Sequence, residues 1–481
     1  MVDTILAHGS VLTMNTERDV IEDGGVAITD GRIVDVGPTA EILDAHDPQR
    51  TIDAEGMAVL PGFVDAHTHI SSIVLRGGNT TDKPLYDWLF NLTKPARAQM
   101  TPREHRVASA LFCREAIGNG ITTVVESAVG GGSGYTDDIV DAKMGVYESA
   151  GLRHMFAQSF IDEEMETELR EYVDRLMATE PSVEAPPSPL VDTETALQNA
   201  EQLMERYHGT RDGRQEVWSG PLSPRSTTVD GLVGAYQLAE EYDAMTTTHV
   251  SETSHEEAAV GGSHQSMVEY LDTVGYLGDR ALLAHCVHVN DRDIRLLAET
   301  DTKVSHNISA NLALGAGVAP IYELRTHDVT VGLGTDNATT SDAIDILGDA
   351  RMALFAQRGT HRDPTIMEPM DVLEMATIDG AKAIGRADEI GSIESGKRAD
   401  ITLISLDTPA AVPRYDLHSA VVLQLYRQSA DTVLCNGEVI LDSGTAPELD
   451  EEFDDLHAAA TEVSEDIIRR TGVVEVFDGI A

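Results

Sequence analysis

An apolar run, VLPGFVDAHTHI from Val59 to Ile70, ends in two histidines one residue apart, just after a Pro-Gly turn. If that run is a strand, alternate side chains share a face, so His67 and His69 present two imidazoles together while Thr68 turns away. That is chelating geometry. Two satisfied core histidines are the bland alternative, and ligands from elsewhere in the chain would decide against it. His249 closes the polar run MTTTHVSE, and Asp336 follows an apolar run in VTVGLGTDN. A partly buried aspartate needs a partner, which a divalent cation beside neutral imidazoles would supply. Three imidazole nitrogens and one carboxylate oxygen suit one divalent ion, Zn²⁺ first and Fe²⁺ or Mn²⁺ otherwise, and leave a position open for water.

A cation held this way brings the pKa of its water toward neutrality, so a hydroxide nucleophile is expected at working pH. Metal-assisted hydrolysis also needs a group beside the nucleophile to carry protons. Glu252 stands three residues beyond His249, where a strand turning into its loop could hold it over the open face. A solvated loop carboxylate is the competing reading. His285 and His288 in ALLAHCVHV, and His306 in TKVSHN, also lie at the ends of strand-like runs. PLYDWL offers Trp88 as a stacking face and Asp87 as an acceptor for sugar hydroxyls, with rim packing the structural alternative for Trp88.

These residues must be positioned by a larger frame. Eight strand-like runs, VLPGFVDAH, ITTVVES, HMFAQSFID, VWSGPLS, MTTTHVSE, ALLAHCVHV, TKVSHN and VTVGLGTDN, alternate with helical patterns. That predicts an α/β fold, a (β/α)8 TIM barrel whose C-terminal strand ends carry the site. Short β-type runs before residue 60 and again in GSIESGKRADITLISL and DTVLCNGEVILDSG predict a small β-sandwich built from both chain ends. The expected division is 1–60 for the first part of the sandwich and 61–387 for the barrel. It continues with 388–446 for the second part of the sandwich and 447–481 for an acidic helix and tail. Val59 to Ala66 is expected to be the first barrel strand. Apolar residues from Leu449 to Ile467 at steps of four and three predict one amphipathic helix over about 448–470. The Gly-rich VGGGSG, Val129 to Gly134, lacks the Gly-Lys-Ser/Thr ending of a phosphate cradle and is expected to be a βα loop.

Composition bounds the setting. Of 481 residues, 82 are Asp or Glu against 34 Lys or Arg, a formal charge of -48 spread along an otherwise globular sequence. Such a surface repels nucleic acid and anionic membranes, and points to a halophilic protein whose self-repulsion is screened by concentrated salt. Cys113, Cys286 and Cys435 are too few and too scattered for a disulfide framework or a Cys-x-x-Cys metal site. The first residues lack a basic segment leading into an apolar one, and no apolar run reaches the roughly 18 residues of a membrane span. A cytoplasmic enzyme of small molecules is expected, with the C-terminal helix and sandwich as surfaces for a possible homo-oligomer.

The motifs PGFVDAHTH, HVSET, LAHCVH, GTDN and GSIESGKRADI together resemble the amidohydrolase superfamily over nearly the whole chain. HTHISSIVLRGG, LYDWL, VSHNISANLALGAGVAP and MATIDGAKAIG resemble the branch of S-adenosylhomocysteine and methylthioadenosine deaminases and s-triazine chlorohydrolases. The resemblance implies His67, His69, His249 and Asp336 as metal ligands, Glu252 as proton shuttle, and His285 as the residue that orients or deprotonates the water. Asp336 would also accept a proton. It implies a substrate contact at Arg153, and His288 and His306 are expected to touch substrate or support the site. The fourth strand, EVWSGPLS, lacks the lysine that bridges two metals in dinuclear members, so one metal is expected. Leu222 stands where the branch often has histidine in Gly-Pro-His-Ser-Pro, Asp87 where adenosine-type deaminases usually have Glu, and Asn337 in place of a Gly. The expected reaction is deamination of an adenine nucleoside or related purine by metal-bound hydroxide with release of ammonia. The alternative is loss of chloride or alkylamine from an s-triazine ring.

Overall fold

A computed structural model describes residues 2–77, 85–130, 135–163, 190–257, 266–453 and 455–471. Residues 131–134 of the Gly-rich stretch and the tail from 472 onward lie outside them. The chain opens with β1 (Val2–Leu12), β2 (Val20–Thr29), β3 (Arg32–Pro38), β4 (Pro48–Asp53) and β5 (Met57–Pro61). Eight parallel strands follow: β6 (Phe63–Thr68), β7 (Ile121–Ala128), β8 (Arg153–Phe160), β9 (Gln215–Pro221), β10 (Thr246–Val250), β11 (Ala281–His285), β12 (Lys303–His306) and β13 (Val331–Leu333). Then β14 (Ile401–Ser405), β15 (Thr432–Cys435) and β16 (Glu438–Leu441) return to the first five.

Strands β6 to β13 pair in sequence order, each with the next, and helices intervene between them. Crossover helices on the outer face make such a sheet apolar on both sides, which is why β7 and β8 are buried at every position. The ring closes through a parallel bridge between Thr68 and Asp336. Its interior is filled by Val64, Ala66, Val125, Met155, Trp218 and Leu282, which meet from strands on opposite sides. This is an α/β TIM barrel.

The second sheet runs β16-β15-β14-β5-β1-β2-β3, with β4 added beside β1, so both chain ends build it. It is one connected eight-stranded sheet with its own core around Leu6, Val26, Val59, Ile401 and Leu434. Val59 therefore ends an outer strand instead of starting the barrel, because β5 pairs antiparallel with β14 through Pro61. Gly62 marks the switch. A Cβ there would lie 2.2 Å from Thr122 Oγ1, so only glycine lets β5 hand over to β6 at this crossing.

The single helix expected near the C-terminus is two, Pro447–Glu452 and Leu456–Thr471, separated around Phe453. The second buries Leu456, Ala460, Val463 and Ile467 and packs on the helix Pro102–Gly118, where Arg470 pairs with Glu104 at 3.0 Å. Periodicity located the apolar stripe but not its interruption, since the spacing of Leu449 and Leu456 stays in phase across the break.

Candidate metal centre and cavity

The site lies at the C-terminal ends of the barrel strands. His67 is on β6, while His69 is just beyond it, at the start of the 3₁₀ turn Ile70–Leu75. Pairing with β7 shifts register between Asp65 and Thr68. Ala66 points into the barrel core, so strict alternation would turn His67 outward; the irregularity re-aims the end of the strand. The His67 and His69 rings then stand 5.0 Å apart, nearly perpendicular. Asp336 and His285 adopt positive φ, 57° and 78°, where residues with side chains are uncommon. Both chain segments thereby leave their strands sharply with side chains toward the centre. Gly334 permits the close approach, since a Cβ there would meet Asn307 Oδ1 at 2.5 Å and the His67 carbonyl at 2.8 Å.

Ligand-type atoms converge. Asp336 Oδ1 lies 3.6 Å from His69 Nε2 and 3.9 Å from His67 Nε2. Two triads, His67–His249–His285 and His67–His69–Asp336, each gather their donor atoms within 4.8 Å. The ring contacts show what these atoms need. His69 Nδ1 donates to the Ser127 carbonyl at 2.9 Å and His249 Nδ1 to the Leu222 carbonyl at 2.8 Å. A carbonyl only accepts, so both Nδ1 atoms carry the proton, and in the neutral rings both Nε2 atoms present lone pairs. Those two Nε2 atoms face each other at 3.1 Å. Lone pairs do not approach so closely without a cation to share. His67 has neither ring nitrogen hydrogen-bonded, although the residue is buried. Residues of this kind fit a divalent metal held by His67, His69, His249 and Asp336.

Burial sets the protonation of the group. It drives His67 and His249 well below the ordinary imidazole range, helped by neighbouring histidines, and brings His69 down to about 3, helped by Arg97. Asp336 is pushed up to about 7, mainly by burial, with His285 opposing. Neutral imidazoles are the form that ligates.

Glu252 is buried in the loop after β10, and Oε2 lies 3.8 Å from His285 Nε2. Burial and then the neighbouring Glu256 raise its carboxyl well above the usual range. The same His285 Nε2 is 3.8 Å from Asp336 Oδ2, while His285 Nδ1 is held by Asn311 Oδ1 at 2.8 Å. Glu256 accepts the backbone N–H groups of Glu252 and Thr253, both at 3.2 Å, which pins the loop.

A cavity of about 370 Å³ opens over these groups, lined by His69, His249, Glu252, His285 and Asp336 at its base and by Leu85, Trp88, Phe90 and Leu222 on its walls. Trp88 is buried and its indole N–H donates to Thr339 Oγ1 at 3.1 Å. Asp87 falls on the same helix, Leu85–Trp88, but its side chain lies outside the described residues. Leu222 faces the cavity with its side chain while its carbonyl holds His249. Asn337 lines the wall and accepts from the Thr339 amide and hydroxyl.

Three expected substrate contacts are placed elsewhere. Arg153 is at the opposite, N-terminal end of β8, 1 % exposed, paired with Asp400 at 3.0 Å and bonded to Asn436 Oδ1 at 2.6 Å. It ties the barrel to the outer sheet and cannot reach the cavity. His288 Nε2 donates to the Ala316 carbonyl at 2.9 Å, and His288 is not among the cavity residues. His306 is buried behind His285 with both ring nitrogens lacking a partner, and it too is outside the lining. Conversely, Tyr86, Arg225, Glu256, Lys94 and Arg97 line the cavity and carry no motif that singles them out. Arg225 donates to the Tyr86 hydroxyl at 2.7 Å, a contact spanning 139 residues. The one available signal was Lys-x-x-Arg, one helical turn, directly after LYDWLFNLT.

The family model described as amidohydrolase family matches residues 58–440, and an imidazolonepropionase-like composite domain of bacteria matches residues 24–47. The chain is 35% identical over 438 residues to a 5'-deoxyadenosine deaminase of Methanothermobacter thermautotrophicus, covering 90% of this chain and 92% of that one. It is 33% identical over 454 residues to an S-triazine hydrolase of Gordonia rubripertincta, covering 92% and 91%. An adenosine deaminase of Xanthomonas campestris, solved with bound zinc, superposes with a TM-score of 0.84 at 26% identity over 98% of this chain and 99% of that one. Matched nearly end to end by these relatives, with the model spanning the whole barrel, the chain belongs to the amidohydrolase family.

Proposed function

We propose that the protein is a metal-dependent aminohydrolase that replaces the exocyclic amino group of an adenine nucleoside or related purine by oxygen and releases ammonia. The observation that carries this reading is the convergence of His67, His69, His249 and Asp336 with Glu252 and His285 at the base of one apolar-walled cavity. A divalent cation, most simply Zn²⁺, supplies acidification of a water molecule to a nucleophile near neutral pH when bound there. Glu252 Oε2 holds a proton beside that position and delivers it to the ring nitrogen next to the attacked carbon. His285, with Nδ1 fixed by Asn311, keeps the Nε2 lone pair directed at the same space and orients the water. Asp336 Oδ2 receives the water's proton and passes it to the departing amine. Trp88 and Phe90 exclude solvent and offer ring faces for a planar substrate.

Hydrolysis of an s-triazine ring is the second reading. Leu222 supports it, because an apolar side chain lines the cavity where the deaminase branch often has a histidine, and a hydrophobic wall favours an alkyl-substituted ring. One experiment separates the two. The zinc-loaded protein is incubated in concentrated KCl with nucleosides, purines, pterins and triazines, and ammonia and chloride are assayed. Ammonia from an adenine nucleoside supports the first reading, and chloride from a chlorotriazine without it supports the second.

A further inference from the structure

Lys94 and Arg97 occupy the first and last positions of the short helix Lys94–Arg97, and both line the cavity. Three residues apart on a helix, they lie on one face. No hydrogen bond or ion pair to either side chain occurs among the described residues. Burial and then the neighbouring Arg97 work against the Lys94 cation, and burial works against the cation of Arg97. Lys94 Nζ instead lies over the Phe90 ring, 4.1 Å from its centroid. Arg97 is close enough to the metal centre for its charge to act on both His69 and His249.

Two partly buried cations lining one cavity with no counter-ion among the described residues are costly, and more so beside a centre suited to a third. The chain has 82 Asp or Glu for 34 Lys or Arg, so partners are plentiful, and the fully buried Lys143 and Arg153 have them. Lys143 pairs with Glu126, and Arg153 with Asp400. Across the cavity Arg225 is engaged by Tyr86. Among the described residues nothing neutralises Lys94 and Arg97, which leaves that part to a group arriving with a ligand.

We propose that the substrate carries an anionic substituent, a carboxylate or a phosphate, which docks between Lys94 and Arg97 while the ring faces the metal centre. The proposal rests on the reading of this cavity as a ring-aminohydrolase site. Arg97 offers a planar fork to two oxygens, and Lys94 a point charge further along the same face.

The test uses the full zinc-loaded chain and three compounds sharing one ring: adenosine, adenosine 5'-carboxylate and adenosine 5'-phosphate. Ammonia release is expected with kcat/KM at least about tenfold higher for a charged compound than for adenosine, the scale of a charge-assisted contact in a desolvated site. Which of the two leads identifies the source of the charge. Lys94→Met and Arg97→Met should each shrink that ratio, and Arg97→Lys should restore part of it. A ratio of one or below in the unaltered protein, or a ratio unmoved by both methionine variants, overturns the proposal. Calorimetric binding of the same compounds separates this from failure of the aminohydrolase reading. Tighter binding of the charged compound, lost in Lys94→Met, without any ammonia, keeps the anion site and removes the reaction. Equal binding of charged and neutral compounds removes the anion site, whatever ammonia is released.

Discussion

The Asp336 amide donates to the His67 carbonyl at 2.9 Å, and the Asp336 carbonyl accepts from the His69 amide at 3.3 Å. The first and last barrel strands are thus stitched at residues proposed as metal ligands. Closing the barrel and assembling the site are one event, so folding defects near this seam and loss of metal should travel together.

Metal content follows first. With His67, His69, His249 and Asp336 proposed to hold one ion, elemental analysis of protein dialysed against buffer should find one divalent metal per chain, with zinc predominant. Asp336→Ala or His67→Ala should weaken binding by more than about a hundredfold, beyond what loss of an outer partner of a ligand costs. Chelation should abolish turnover and zinc should restore it. Two metals per chain would contradict the site as drawn.

Glu252→Gln preserves shape and leaves the four donors untouched. It should keep full metal occupancy while lowering kcat by about a hundredfold to ten-thousandfold, the range attributed to a positioned proton carrier. A variant with normal metal content and normal kcat would remove Glu252 from the mechanism.

Arg153 is expected to act on stability and not on substrate. Arg153→Met strands Asp400 in a buried position and should cost about 3–5 kcal/mol in denaturant unfolding, as breaking a buried pair does. KM of the folded fraction should be unchanged, since the pair lies at the far end of β8 from the cavity.

Glu126 gives the acid limb of stability. Burial alone would raise its carboxyl, but Lys143 Nζ at 2.8 Å and His154 Nε2 at 3.2 Å overcome it and bring it down to about 2, from an ordinary value of 4.5. A group depressed by folding stabilises above its unfolded value, and the contribution fades as pH falls toward the folded one. Unfolding free energy at fixed salt should therefore drop between about pH 4.5 and 2, and Glu126→Gln should flatten that slope while lowering stability at neutral pH.

The charge of -48 predicts salt dependence. The unfolding midpoint should rise with KCl concentration as the Debye length shrinks toward about 3 Å near 1 M. Equal stability in dilute buffer and concentrated KCl would count against a halophilic surface.

Much of this was legible in one dimension. Alternating strand and helix patterns located the eight barrel strands, because strands buried on both faces are mostly rich in apolar residues and their helices show a stripe. Polar residues at the ends of such runs, His67, His249, His285 and Asp336, stand out because burial there needs a reason. What misled was residue type without neighbourhood. Arg153 resembled a substrate contact, yet its partners Asp400 and Asn436 are nearly 250 residues or more away in sequence. Lys94 and Arg97 carry no strand-end position or ligand motif that would single them out.

The fold class, the family and the four converging donors can be read from the chain alone, since period, strand-end position and ligand chemistry are local properties. Which cations are already neutralised, and which still face the cavity, becomes visible once the chain is folded. A charge's energy depends on what lies within a few ångströms of it, and the barrel brings together residues that the chain keeps hundreds of positions apart.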